Sequence, residues 1–337
     1  MWIFNKKGRA PVTVKRDDKM EVGLFVTLWP EMPHFHRFKY DSRVRGIRLN
    51  PAMLSVEEVV AELSGIPGGD VGAPLYFDVK GRQLRIEEAI PNTDHLRIRL
   101  NHRIRVKTPT QVLFKAGNDH ALLESLEEGG QVLVFAPGAK HGPTYQVKPG
   151  ESLHIRDSSL RIEDEQLFSE VELKKIEAAR RYGIKRWFLS YVEKQEDIDR
   201  LRALVGDTDE IMLKIESKPG LHFVREEFKP QENLRLVAAC GDLYVELDEP
   251  HQILPALQDI IKADPNAMAA SRMMLTITQN VRRFGLQTPD LADFAHLAWL
   301  KSIGYRTFMF CDEICLDKEL LDPAVGAFTA WEELNVS

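Results

Sequence analysis

Short apolar, β-branched runs recur along the chain, most of them followed by a polar turn and a segment of helical periodicity. Eight runs stand out, at 22–28, 46–50, 74–80, 186–190, 210–216, 235–240, 267–271 and 306–311. Helical spacing of apolar residues follows in 55–63, 169–182, 195–204, 252–262 and 290–302. The segment at 55–63 opens with Ser55 and has Glu58 three residues on, the pattern of a capping box. Near-continuous apolar strands alternating with helices indicate a parallel sheet covered on both faces. Eight such units predict an α/β fold, a (β/α)8 TIM barrel, which typically needs ~250 residues.

The chain has 337 residues, so the barrel leaves a surplus. It lies between the third and fourth runs, where the pattern changes to strict alternation. Leu96-Arg-Ile-Arg-Leu, Arg103-Ile-Arg-Val-Lys, Gln111-Val-Leu-Phe-Lys, Gln131-Val-Leu-Val-Phe, Thr144-Tyr-Gln-Val and Leu153-His-Ile-Arg are separated by turn signals such as Pro-Asn-Thr-Asp and Glu-Glu-Gly-Gly. Period-two patterning with turns at short intervals reads as an antiparallel module. The expected organisation is a first barrel part at 1–82, a small antiparallel β domain inserted after strand three at 83–163, and a second barrel part at 164–337.

Composition removes several classes. Forty-five Lys and Arg against 51 Asp and Glu give a net charge of −6, with 44% hydrophobic residues. That is globular rather than disordered, and a mildly acidic chain does not point to nucleic acid. No apolar run is long enough to span a membrane. The first residues, MWIFNKKGRAPVTVKRDDK, carry charges where a signal peptide needs an apolar stretch, and three cysteines make no disulfide framework, so a cytoplasmic protein is expected.

In such a barrel the chemistry lies at the C-terminal strand ends. The polar residues there are Arg48 and Asn50, Asp78 and Lys80, Ser190, Lys214 and Glu216, Asp242, Ser271, and Asp312 with Glu313. Lys214 and Glu216 are two apart and share one face of their strand. Glu216 and Asp242, on adjacent strands, form a hard-oxygen pair suited to Mg²⁺ or Mn²⁺. Each residue also has a plainer reading. Lys214 and Glu216 can be a barrel ion pair, Asp242 after Gly241 a turn residue, and Asp312 and Glu313 helix caps. What favours chemistry is that so many fall on one rim. Outside it, Cys311 and Cys315 lack zinc partners and read as structural, and Met273 and Met274 as core. His34 and His36 read as surface residues, the basic stretch 97–107 as a solvated β face, and Gly129-Gly130 as a hairpin turn.

Taken in order, these segments resemble the pyruvate kinase family. Thr27-Leu-Trp-Pro30, Ile47-Arg-Leu-Asn50, Phe77-Asp-Val-Lys-Gly-Arg-Gln-Leu-Arg85, Lys148-Pro-Gly-Glu-Ser-Leu, Leu213-Lys-Ile-Glu-Ser217, Ala239-Cys-Gly-Asp-Leu-Tyr-Val-Glu246 and Ala270-Ser-Arg-Met-Met274 are similar to its barrel motifs, the position of the inserted domain included. The resemblance implies that Arg48 and Arg85 hold phosphate and that Lys214 neutralises a transferring phosphoryl group or an enolate. It implies that Glu216 and Asp242 bind the divalent metal, that Gly241 and Asp242 contact substrate, and that Ser271 stands beside the enolate's methylene carbon. Asn50 and Asp78 would be half of a monovalent-cation site, and Pro30 and Lys148 would lie near a nucleotide. The substrate would be a small anionic metabolite, phosphoenolpyruvate, pyruvate or another 2-oxo acid, with ADP or ATP as the partner. An oligomer is compatible with the family.

The sequence also departs from the family. Ala52 and Met53 replace a Ser and a His, Val79 a Thr and Cys240 an Arg. The chain stops soon after the eighth run, so the family's C-terminal regulatory domain is not expected. The metal and oxo-acid half is kept while the nucleotide and K⁺ half is changed, so dependence on K⁺ is not expected. A metal-dependent lyase, aldolase or decarboxylase acting on a 2-oxo acid, and a non-catalytic homologue, remain as alternatives.

Overall fold

The structure is a computed structural model, and it describes residues 22–66, 72–90, 95–137, 143, 146–164 and 166–334. Eight parallel strands close into a barrel in chain order: Gly23–Thr27, Val44–Leu49, Leu75–Val79, Arg186–Leu189, Glu210–Ile215, Leu234–Ala239, Met268–Ala270 and Thr307–Met309. These are the eight runs of the sequence. Helices cover the barrel's outer face and bury a continuous apolar core against it. The Ser55 side chain accepts from the Glu58 backbone at 3.1 Å while Glu58 reaches back to the Ser55 N–H at 2.6 Å, so the capping box starts helix Val56–Ser64. Ser169 caps helix Glu170–Arg181 in the same way from one side. Among the described residues no helix is long and apolar enough to cross a membrane.

Strand parity builds the site. Alternate residues point inward, and one inner layer is apolar: Phe25, Tyr76, Phe188, Met212, Val237 and Met268 belong to a separate cluster inside the barrel. Phe25 and Tyr76 pack edge to face with centroids 5.2 Å apart, and Phe188 is tilted against Tyr76 at 5.6 Å. Gly46 makes room for this layer, because a Cβ there would lie 2.2 Å from the Phe25 ring. Two residues further along the same strands, the inward positions become polar. Thr27 follows Phe25, Arg48 follows Gly46, Asp78 follows Tyr76, Ser190 follows Phe188, and Lys214 follows Met212.

The chain leaves the barrel after the third strand and forms a separate antiparallel sheet. Its order is Leu153–His154, Thr110–Phe114, Asp119–Glu127, Val132–Phe135, Arg97–Leu100 and Ile86–Ile90, and a small ladder pairs Arg161–Ile162 with Ile104–Arg105. Ile98 and Leu100 bury on one face in a core of their own. Arg97, Arg99 and Arg105 on the alternating basic stretch are paired with Glu127, Glu128 and Glu163. Gly129 and Gly130 do make the hairpin turn. At Gly130, with φ +93°, a Cβ would fall 2.0 Å from the Ile104 carbonyl oxygen. The alternating segment at Thr144 and the turn at 91–94 lie at least partly outside the described residues, as do the first residues of the chain.

Two local expectations change. His34 is buried rather than on the surface, its Nε2 lying 2.9 Å from the Cys315 carbonyl oxygen and its ring edge-on to Phe38. The longest strand of the insert, Asp119–Glu127, has no expected counterpart, because its Ala-Leu-Leu-Glu-Ser-Leu-Glu sequence carries no strict alternation. Met273, Met274 and Cys315 are core, as the sequence suggests.

Candidate active site at the barrel mouth

The polar layer is organised around Asp78, whose side chain is fully buried. Its Oδ2 lies 2.9 Å from Arg48 Nε, 2.7 Å from Lys80 Nζ and 3.7 Å from Lys214 Nζ. Its Oδ1 accepts from Ser190 Oγ at 3.2 Å. Burial works to raise this carboxyl, but Lys214, Lys80 and Arg48 outweigh it and hold it well below the usual carboxylate range. Lys214 continues the chain of contacts, donating to Ser190 Oγ at 2.9 Å and pairing with Glu216 Oε1 at 2.8 Å. Burial opposes its charge, yet Asp78 and Glu216 keep its pKa above the ordinary lysine value.

Glu216 is fully buried. Its Oε2 accepts the Tyr191 N–H at 2.8 Å, while Oε1 takes the Lys214 ion pair but no hydrogen bond of acceptable geometry. Glu216 and Asp242 lie close enough that each carboxyl shifts the other. Burial, reinforced by Asp242 and resisted by Lys214, pushes Glu216 up to about 7. Asp242 behaves oppositely: against the pull of burial, His154 and Lys214 hold it below the carboxylate range.

His154 is the main residue the sequence reading did not single out. It sits on the returning strand of the insert, fully buried, between two carboxylates of helix Cys240–Glu246. Its Nδ1 lies 2.7 Å from Glu246 Oε1 and its Nε2 3.5 Å from Asp242 Oδ1. The Tyr191 hydroxyl is 3.1 Å from the same ring. Burial would lower this imidazole, but the hydrogen bonds and charges of Asp242 and Glu246 raise it to about 10. Tyr191 itself holds a positive φ of +52°, a cost a non-glycine residue accepts only where its surroundings demand it. The i, i+4 spacing of Asp242 and Glu246 was the available signal, since two acids one helical turn apart repel mildly and gain from a cation placed between them.

Other expected residues are placed as follows. Ser271, at φ +67°, lies beside Gly241 at the mouth, its Cβ 3.5 Å from where a Gly241 Cβ would be. Arg48 also reaches Asp312 at 3.2 Å, so its guanidinium is committed to two carboxylates. Arg85 lies at the base of the insert, bonded to Gln83 and the Gly150 carbonyl. Asn50 donates to Asp312 at 3.2 Å and its own oxygen caps Ala52 N–H. Asp78 is enclosed by Arg48, Lys80, Lys214 and Ser190. Lys148 is exposed and bonds through its N–H to Glu151, although its neighbours Pro149 and Gly150 line a cavity at the rim. Pro30 lies apart from the cluster, against Gly65.

Among the described residues no group of three or more His, Cys, Asp or Glu side chains is arranged to hold a metal. Glu216 and Asp242 nevertheless fit an ion that takes two protein carboxylates and completes its shell with water and substrate oxygens. Two mutually repelling carboxylates, one with an oxygen lacking a hydrogen bond, are the donor set such an ion relieves.

Fold and site together define an α/β barrel with a charged mouth and an antiparallel domain docked against its rim. Compared with known protein families and with curated proteins, the chain matches neither a family model nor a curated protein.

Proposed function

We propose that the barrel mouth performs enolate chemistry on a small 2-oxo acid as a pyruvate kinase-like phosphotransferase. The carrying observation is the adjacency of Glu216, Asp242 and Lys214, two carboxylates and one ammonium at the C-terminal ends of neighbouring strands. Glu216 and Asp242 would hold Mg²⁺ or Mn²⁺. When bound, the ion supplies a Lewis acid next to the substrate's oxygens. Lys214 supplies a fixed positive charge for an enolate oxygen or a transferring phosphoryl group, preorganised by Asp78 and Ser190 so that little rearrangement is needed as charge develops. Gly241 and Ser271 flank the same space and would contact the substrate's carboxylate side and methylene carbon.

The test is exchange of pyruvate methyl protons in deuterated buffer, followed by NMR. An exchange component that requires Mg²⁺ and disappears in Lys214→Met and Glu216→Gln supports the reading. Absence of any Mg²⁺-dependent component overturns it and favours a non-catalytic protein.

One observation favours a second reading, a metal-dependent lyase, aldolase or decarboxylase. The rim cavity beside the mouth is walled by Pro51, Ala52, Met53 and Leu54 where the resemblance would need polar nucleotide contacts. Titration with ADP or ATP in Mg²⁺ separates the two. Saturable binding supports phosphoryl transfer, whereas Mg²⁺-dependent exchange without nucleotide binding at millimolar concentration selects the lyase class.

A further inference from the structure

The rim cavity has a volume of about 570 Å³, the size of a small-molecule site. It lies between the turn after the second strand, the root of the insert and the start of helix Glu170–Arg181, and it does not include Lys214, Glu216 or Asp242. Its charged lining is Lys80, Arg85 and Lys175 on one hand and Glu58, Asp78, Glu87 and Glu172 on the other. Lys80 is buried, and its amine has one contact, Asp78 Oδ2 at 2.7 Å. Arg85 spends donors on Gln83 and Gly150, which leaves two of its five N–H groups uncommitted. Lys175 donates once, to the Pro51 carbonyl at 2.9 Å. Glu172 is fixed by the backbone N–H groups of Lys80 and Gly81, so its carboxyl is anchored at the end of the strand that carries Lys80. Pro51, Met53, Ile86 and Val171 supply apolar wall.

We propose that Lys80 is a carbonyl-capturing amine that forms an imine with a 2-oxo carboxylic acid held in this cavity. Arg85 and Lys175 face the acid's carboxylate, and the apolar wall takes its side chain. The neutral amine adds to the carbonyl carbon, forming the C–N bond while the carbonyl electron pair moves to oxygen, and the proton that the nitrogen sheds passes to that oxygen to give a carbinolamine. Glu172 protonates the hydroxyl, which leaves as water as the nitrogen lone pair closes the C=N bond, giving a protonated imine and the Glu172 carboxylate. Return of the N–H proton to Glu172 leaves imine and water, with no oxidant or reductant involved.

Such a lysine must be partly neutral near pH 7, and burial is the usual means. Burial, aided by Arg85 and resisted by Asp78, brings Lys80 down to about 7. Burial likewise brings Glu172 up to about 7, against the hydrogen bond from Lys80 N–H. A proton donor and a nucleophilic amine thus share one wall at neutral pH.

The experiment uses the full chain with pyruvate and sodium borohydride, in EDTA, followed by intact mass and peptide mapping. A single reduced pyruvyl adduct on Lys80 is expected, absent without pyruvate and reduced to background in Lys80→Arg, which keeps the positive charge. Far-UV circular dichroism checks that the variant is folded, and Lys174→Arg, exposed on the same helix and outside the cavity lining, is expected to keep the adduct. No adduct in the wild type at saturating pyruvate overturns the proposal, and so does an adduct on Lys175 or Lys214. The proposal goes beyond the metal-centred reading: the adduct needs no metal, whereas that reading requires Mg²⁺-dependent exchange, so either can fail alone.

Discussion

Asp78 offers the sharpest test of how the mouth is held together. Asp78→Asn preserves shape but removes the one anion that Arg48, Lys80 and Lys214 share within 3.7 Å. Each attraction is worth roughly 4–6 kcal/mol at an effective dielectric of 20. Much of that sum offsets the cost of burying the charges, and what remains after deleting one partner is about 3–5 kcal/mol of destabilisation. The carboxyl is depressed from 3.8, so its stabilisation is complete above that value and fades only as pH falls through the depressed one. An assay at neutral pH therefore reads all of it. At about 2–4 °C per kcal/mol, the melting temperature should fall by roughly 6–20 °C. Urea titration should show the same loss, and adding Arg48→Met to Asp78→Asn should recover part of it by removing a buried guanidinium that has lost one of its two carboxylates and cannot shed its proton. A single variant within about 0.5 kcal/mol of wild type, or a double variant whose losses simply add, would refute the assignment of Asp78 as the electrostatic hub.

Stability should fall as pH rises from ~5 to ~7. Glu172 and Glu216 are raised from 4.5 to about 7 and His154 from 6.5 to about 10, so the stabilisation of each protonated form is complete below the lower value and lost through the upper one. Lys80, lowered from 10.5 to about 7, acts oppositely above pH ~7 and offsets His154 there. Melting temperatures measured between pH ~5 and ~7 check this, and a rise across that range contradicts it. Mg²⁺ should raise the melting temperature above pH ~7, where the Glu216 and Asp242 carboxylates repel, and Asp242→Asn should abolish that shift. Replacing K⁺ by tetramethylammonium should leave pyruvate exchange unchanged, because the Asp78 oxygens are already taken by Arg48, Lys80 and Ser190. Gly46→Ala should cost about 1–3 kcal/mol in urea titrations by overpacking against Phe25.

The barrel was legible because a parallel strand buried on both faces leaves a run that local pattern detects, and because Ser55, Ser169 and Asp290 mark helix starts by their own chemistry. The mouth was legible for a related reason. Along one strand a side chain two residues on points the same way, so the step from Tyr76 to Asp78, or from Met212 to Lys214 and Glu216, shows where apolar interior gives way to polar rim. No partner has to be known to see it. The strand at Asp119–Glu127 was not legible, since its identity comes from pairing with Thr110–Phe114 and Val132–Phe135 rather than from its own residues.

The same distinction explains the missed site residues. His154 looks like one polar position on an alternating strand; only the docking of the insert brings it between Asp242 and Glu246. Tyr191 holds Glu216 through a backbone N–H, which no residue type announces. Glu172 reads as an ordinary first-turn acid of a helix, and its contact with the Lys80 backbone N–H is made by the barrel strand lying against it. In each case the functional environment is made by a contact between the barrel rim and an element distant in sequence. The charges the rim presents were therefore readable one strand at a time, while the properties of those charges were not. Whether Glu216 is ionised, whether Lys80 is neutral and whether Asp242 is free for a cation depend on burial and on His154, Lys214 and Asp78 acting together.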